Sequence, residues 1–204
     1  MSSPAFVSDV GKVLIDFDFL PAARRLAEKC PHPAETVLRC FDDIKGPYED
    51  GRMSDAEFVR DGMRLTGFTG TAEEFVSIWC EIFTENTPMR PVLASLAGKV
   101  PMYLLSNTSG LHVDYFWKTY DLFQHFDGGV YSHEARCSKP GEEIFRHTIE
   151  KYDLDPARTF YVDDLLPNIE TAARMGFEVF HYSFAKHAEF EAAVAAWRVA
   201  QGIG

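Results

Sequence analysis

The stretch AFVSDVGKVLIDFD, residues 5–18, sets a short apolar run directly in front of a carboxylate. Ala5 to Ser8 has the length and character of a buried strand, and Asp9 ends it. Two later runs end on polar residues in the same manner: YLLSN, residues 103–107, at Ser106, and FYVDD, residues 160–164, at Asp163 and Asp164. In an open parallel α/β sheet the carboxyl ends of the strands face one crevice, so endings far apart in sequence become neighbours in space. Together with Lys139 they predict a site for phosphate and a divalent cation.

Working outward, residues 5–9, 100–106, 128–132, 159–163 and 177–182 read as short buried strands bounded by Gly, Pro or polar residues. Helical stretches alternate with the later ones: MRPVLASLAGK (89–99), SGLHVDYFWKTYDLF (109–123), GEEIFRHTIEKY (141–152) and PNIETAARMG (167–176), with HAEFEAAVAAWRVAQ (187–201) as the last. This alternation predicts a doubly wound α/β fold with a Rossmann-like parallel sheet. The interval from Phe17 to Pro88 breaks it, offering helices and no strand. Ser54 with Glu57, and Thr71 with Glu74, have the spacing of capping boxes. The expected organisation is a core of residues 1–16 and 89–204 with an inserted all-helical cap of residues 17–88. Emerging beside the first strand's carboxyl end, such a cap overhangs the crevice, where it excludes water and selects substrates.

Composition narrows the function classes. With 31 acidic against 20 Lys and Arg residues, the net charge of -11 argues against nucleic acid or an anionic membrane as partner. Cys30, Cys40, Cys80 and Cys137 form no CxxC pair, so neither a zinc site nor a disulfide framework is expected. No run approaches the roughly 18 apolar residues of a membrane span, and the N-terminus lacks a signal-peptide pattern. A soluble cytoplasmic protein is expected, as monomer or homodimer.

The chemistry follows from the strand ends. A carboxylate attacking phosphorus approaches a group that already carries about two negative charges. That repulsion has to be neutralised, and Mg2+ suits the task because it takes one or two carboxylates, waters and a phosphate oxygen. Asp9 and Asp164 are the candidate ligands, with Asp163 a nearer or water-mediated helper. Lys139 precedes Pro140 just before a helix start, where a cation is favourable only with an anion beside it. It is the candidate to bind both phosphate and Asp9. Ser106 and the amides of Asn107 and Thr108 are candidate donors to phosphoryl oxygens.

At these residues the chain resembles the haloacid dehalogenase-like hydrolase superfamily, in its phosphatase branch with a helical cap after the first motif. DVGKVLIDFD resembles the first motif with Asp9 as nucleophile, LLSNTSGLH the second with Ser106, CSKP the third with Lys139, and VDDLLPN the fourth with Asp163 and Asp164. LSNTSGLH and GRMSDAEF are similar to the group containing bacterial sugar-phosphate phosphatases such as glucose-1-phosphate phosphatase. The resemblance implies Mg2+-dependent hydrolysis of a small phosphorylated metabolite through a phospho-aspartate. It further implies metal ligands at Asp9, the Gly11 carbonyl and Asp164, and an orienting role for Asn168. His112 and the segment GPYEDGRMS, with Tyr48, Glu49 and Arg52, are candidate substrate contacts.

Two positions depart from the family pattern. Gly11 stands where these phosphatases usually carry a second Asp as acid and base, although the sugar-phosphate group tends to share this Gly. An activated leaving group, metal-polarised water, Asp16 or Asp18 are candidate replacements. Ser8 stands where Phe is common, and Lys12 follows where small or amide residues are usual. Lys12 either adds charge beside the phosphate or points to solvent. Gly11 also keeps open a non-catalytic phosphate-binding or regulatory member of the same fold. A metal-independent haloacid dehalogenase is a third reading, against which Gly11 and the double Asp both count.

Overall fold

The computed structural model describes residues 3–204. Among these, five strands form a parallel sheet: β1 (Ala5–Ser8), β4 (Met102–Ser106), β5 (Gly128–Tyr131), β6 (Thr159–Asp163) and β7 (Glu178–His181), in the order β5-β4-β1-β6-β7. The chain leaves β1 toward β4 and β5, then crosses to place β6 and β7 on the other side. That reversal makes β1 the switch point where a crevice opens. Its two neighbours are the strands that end on Ser106 and Asp163.

Alternation along the strands sorts two apolar layers. Phe6, Met102, Leu104, Phe160 and Val162 pack with α6 (Met89–Leu96), Phe116 of α7 (Gly110–Thr119) and α11 (His187–Gln201). Ala5, Val7, Leu105 and Tyr161 pack on the other face with α9 (Glu142–Tyr152) and α10 (Leu166–Arg174). Burial on both faces explains why β1 and β6 read as continuous rather than alternating apolar runs. The expected Rossmann-like α/β core is present.

Five helices lie between β1 and α6: α1 (Phe19–Ala27), α2 (Ala34–Arg39), α3 (Asp42–Glu49), α4 (Asp55–Thr66) and α5 (Ala72–Cys80). They enclose their own cluster around Phe41, Phe58, Phe75 and Trp79. Ser54 and Glu57 close the full capping box at α4. Thr71 accepts from the Glu74 amide, but the Glu74 carboxylate pairs with Lys29 at 2.5 Å. The expectation of no strand between Phe17 and Pro88 is corrected: β3 (Phe83–Glu85) pairs antiparallel with β2 (Ile15–Phe17), and the two form a ribbon at the entry and exit of the helical layer. Strands of three residues carry no readable period, and only the pairing of distant partners creates them. A short helix, α8 (Ser132–Ala135), likewise follows β5 unannounced.

The helical layer meets the sheet domain along an aromatic seam. His112 of α7 stacks on Trp79 at 5.7 Å and meets the edge of Phe83 at 5.0 Å. A second contact is the turn after α3. Gly51 has φ +70°, and a Cβ there would lie 1.9 Å from the His133 carbonyl oxygen. Only glycine admits both that conformation and that approach.

Replacing Gly51 with Ala is expected to lower unfolding stability by more than Gly98→Ala. Gly98 has φ +71° and open space, so its variant carries only the left-handed strain of about 1–2 kcal/mol. Equal urea midpoints for the two would contradict the close approach. Acidification tests the seam as well. Burial pushes the His112 pKa down to about 4 from 6.5, so its stability contribution is complete above pH 6.5 and is lost as pH falls toward 4. The loss amounts to about 3 kcal/mol. Urea titrations across that window should show a shallower decline for His112→Gln than for wild type.

Candidate active site

Four chain segments converge at the carboxyl end of the sheet: those after β1, β4 and β6, and the loop that carries Lys139. Asp9 follows β1 and is anchored by its amide, which donates to the Val162 carbonyl of β6 at 2.9 Å. Ser8 Oγ donates to the Asp9 carbonyl at 2.7 Å. The chain then turns tightly: Lys12 N donates to Ile15 O, and Leu14 and Ile15 N donate to Val10 O, which leaves the Gly11 carbonyl outside these bonds.

Lys139 lies in the loop between α8 and α9, joined to Pro140 by a cis peptide. Its ammonium is buried and donates to Asp9 Oδ1 at 2.8 Å, Asp163 Oδ2 at 2.7 Å and the Leu105 carbonyl at 2.7 Å. Asn107 positions it from below: Nδ2 donates to the Lys139 carbonyl at 2.8 Å, and Oδ1 accepts from its amide at 2.9 Å. The Asn107 side chain is therefore committed to Lys139, and its backbone amide is what remains for a ligand. The Thr108 amide is committed too, donating to Ser132 Oγ at 3.0 Å.

Asp9, Asp163 and Asp164 each present a carboxylate oxygen within 4.8 Å of the others. Asp163 is saturated, accepting from Lys139, Tyr161, the Leu165 amide and Asn168 Nδ2. Burial opposes its ionisation, but the Lys139 ammonium and these donors outweigh burial and hold its carboxyl below the usual range. Burial likewise works against the Lys139 charge, and the two carboxylates outweigh it. Asp9 is pushed up to about 7, first by burial and further by the Asp163 charge. Asp164 is raised for the same two reasons. Three carboxylates against one ammonium leave a deficit of positive charge. An oxygen-lined pocket of that charge fits a hard divalent cation such as Mg2+, with Asp9 and Asp164 as the carboxylates that still have open lone pairs.

Beside this cluster is a cavity with about 70 Å³ of room for water centres. Gly11, Ser106, Asn107, Thr108 and His112 line it from the core, and Lys45 and Glu49 from α3. His112 is a neutral ring here, its Nε2 3.4 Å from the Trp79 carbonyl. Of the three residues singled out in GPYEDGRMS, only Glu49 lines the cavity. Tyr48 is buried, donating to Asp55 Oδ1 at 2.6 Å and accepting from the Leu111 amide at 3.3 Å. Arg52 pairs with Asp50 at 2.9 Å on the surface. Lys12 neither faces the cavity nor runs free: it pairs with Asp16, donates to the Phe17 carbonyl at 3.1 Å and lies over the Phe17 ring.

Tyr161 and Lys45 escaped the sequence reading, although both had a signal. Tyr161 is two residues before Asp163 in one strand, hence on the same face. Lys45 is four residues before Glu49 on one helix, hence its neighbour. Ser132, which joins three segments, had none.

The chain is similar to several known proteins. A phosphorylated carbohydrates phosphatase of Thermotoga maritima is 25% identical over 181 residues, covering 85% of this chain and 82% of the relative. A family enzyme of Bacteroides thetaiotaomicron, solved in complex with magnesium and inorganic phosphate, is 25% identical with a TM-score of 0.77, covering 88% of this chain and 93% of its own. The L-2-haloacid dehalogenase of Xanthobacter autotrophicus shares the fold at 19% identity and a TM-score of 0.61, over 87% and 76% of the two chains. Among the described residues no helix is long and apolar enough to cross a membrane. The haloacid dehalogenase-like hydrolase model matches residues 5–176, and the chain belongs to that family.

Proposed function

We propose that the protein is a Mg2+-dependent phosphatase of small phosphate monoesters, with sugar phosphates as the substrate class. The observation that carries this reading is the cluster of Asp9, Asp163 and Asp164 around the buried Lys139 ammonium. The relatives named above, one acting on phosphorylated carbohydrates and one binding magnesium and phosphate, support it. In this reading residues 17–88 act as the cap and residues 1–16 with 89–204 as the catalytic core.

Asp9 is the nucleophile. Its ionised oxygen attacks phosphorus to give a phospho-aspartate, which water then hydrolyses. Asp9, the Gly11 carbonyl and Asp164 would hold Mg2+, which when bound would neutralise charge on the phosphoryl oxygens. Asp163 orients the ammonium of Lys139 rather than the cation, because its lone pairs are taken by four donors. Lys139 keeps Asp9 aimed and offers charge to the phosphoryl group. The Ser106 hydroxyl and the Asn107 amide donate to phosphoryl oxygens as charge develops in the transition state. His112, uncharged, forms the cavity wall on the leaving-group side.

Wild-type protein should release phosphate from p-nitrophenyl phosphate and from members of a sugar phosphate panel with Mg2+, and fall to background with chelator or with Asp9→Asn. A folded protein that binds Mg2+ yet hydrolyses no ester would sink the catalytic reading in favour of phosphate binding without turnover. The metal assignment has its own readout. Mg2+ at a hundredfold excess over its dissociation constant should add about 2.7 kcal/mol of stability, seen as a rise in melting temperature that Asp164→Asn abolishes.

A further inference from the structure

Gly11 leaves the phosphatase reaction without a proton donor where the family usually supplies one, and neither nearby Asp is free to replace it. Asp16 is held by Lys12 and the Phe17 amide, which keeps its carboxyl below the usual range. Asp18 caps α1, accepting from the Leu20 amide at 2.9 Å. Among the residues that line the cavity beside Gly11, Glu49 is the one that carries a carboxyl group.

Glu49 is the last residue of α3, and the core fixes its backbone. Ser132 Oγ donates to the Glu49 carbonyl at 2.6 Å, and Ser138 Oγ donates to Asp50 Oδ1 at 2.9 Å. Gly51 then lies against the His133 carbonyl. Ser132 is also the acceptor of the Thr108 amide, and Ser138 immediately precedes Lys139. The loops that carry the phosphate-binding residues are thus the loops that hold Glu49 over the cavity. Its carboxyl is half-buried, and burial raises its pKa. Asp50 raises it further, while Lys45, 3.8 Å away, opposes the shift. His112, the remaining titratable group in the cavity, is neutral.

We propose that Glu49 donates the proton to the leaving oxygen and then takes one from the attacking water, an inference that rests on the phosphatase reading. In the first step an Asp9 oxygen bonds to phosphorus as the phosphorus–oxygen bond to the leaving group breaks. The electron pair goes to the leaving oxygen, which takes the Glu49 carboxyl proton and departs as an alcohol. In the second step a water oxygen bonds to phosphorus and passes a proton to the Glu49 carboxylate. The pair of the Asp9 oxygen–phosphorus bond returns to Asp9, and the enzyme is restored. Lys45 steadies the carboxylate between the two steps, its own stem resting with the ammonium 4.4 Å from the Phe19 ring centre.

The test is a leaving-group series, from p-nitrophenyl phosphate, whose phenolate departs without a proton, through phenyl to alkyl and sugar phosphates. Glu49→Gln should cut turnover of the alkyl and sugar esters by at least about 10²-fold, the lower range for a general acid. It should leave kcat/KM for p-nitrophenyl phosphate, which reports only the step up to departure of the phenolate, within about tenfold of wild type, while kcat for every ester falls with the slowed hydrolysis of the phospho-aspartate. In Glu49→Ala, added formate should restore part of the alkyl ester rate, which a misfolded variant cannot show. Wild-type protein active on both kinds of ester, with equal changes in kcat/KM for both in the Gln variant and no recovery by formate, overturns the role of Glu49 and leaves the phosphatase reading intact. Wild-type protein with no Asp9-dependent turnover of p-nitrophenyl phosphate overturns the phosphatase reading itself and the proton role with it.

Discussion

The buried ammonium of Lys139 is the constraint around which the site is arranged. Its three N–H donors go to Asp9, Asp163 and the Leu105 carbonyl, so none is left unsatisfied. Those acceptors belong to the segments ending β1, β6 and β4, which are adjacent in the sheet with β1 between the other two, so that a single point reaches all three. Removing one partner of such a buried set typically costs about 3–5 kcal/mol, because the charge left behind has no water to return to. Strand order and site charge therefore depend on each other. Tyr161 and Asn168 complete the arrangement by filling the remaining lone pairs of Asp163.

The Asp9, Lys139, Asp163 and Asp164 cluster belongs to the core, and the cavity beside it is walled largely by aromatic and aliphatic side chains. The cavity wall facing Asp9's turn is Phe17, Phe19, Ile82, Phe83 and Phe116, broken by Lys45, Glu49 and His112. Such a wall keeps the local dielectric low, which strengthens the interactions among Asp9, Asp164 and any bound cation. The helical layer is not simply laid over the sheet. Ser132, Ser138 and the His133 carbonyl fasten the turn after α3 to the loops beside Lys139. A shift of that turn would move the Ser132–Thr108 contact and the overhanging side chains together.

The core was legible because its signals are local. Strands buried on both faces are continuous apolar runs, and their polar last residues, Asp9, Ser106 and Asp163, stand out against them. The cap helices were legible from Ser54 and Glu57. What the sequence hid was created by contacts between distant segments. The β2–β3 ribbon joins residues about seventy positions apart with three residues on each side, too few for a period to show. The commitment of the Asn107 side chain to Lys139, and of Tyr48 to Asp55, has no signature in composition, because an amide or phenol looks the same whether it faces a ligand or a neighbour. Lys12 illustrates the opposite limit: both readings of its charge, toward phosphate or toward solvent, missed the ion pair with Asp16 that its position in the turn allows.

Gly11 is better understood together with Phe17 than as a lone departure from the family pattern. A Cβ at Gly11 would stand 3.0 Å from Phe17 Cε1, closer than ordinary van der Waals contact. The Phe17 ring fills the place where a longer side chain would start, and Lys12 lies 4.6 Å over the same ring while pairing with Asp16. The turn after Asp9 is thereby packed against the ribbon that leads into the helical layer. A side chain at position 11 would need that ring to give by a few tenths of an ångström. With glycine at position 11 the ring packs directly on the turn after Asp9, and the charged groups lining the cavity beside that turn, Lys45 and Glu49, come from α3 across it.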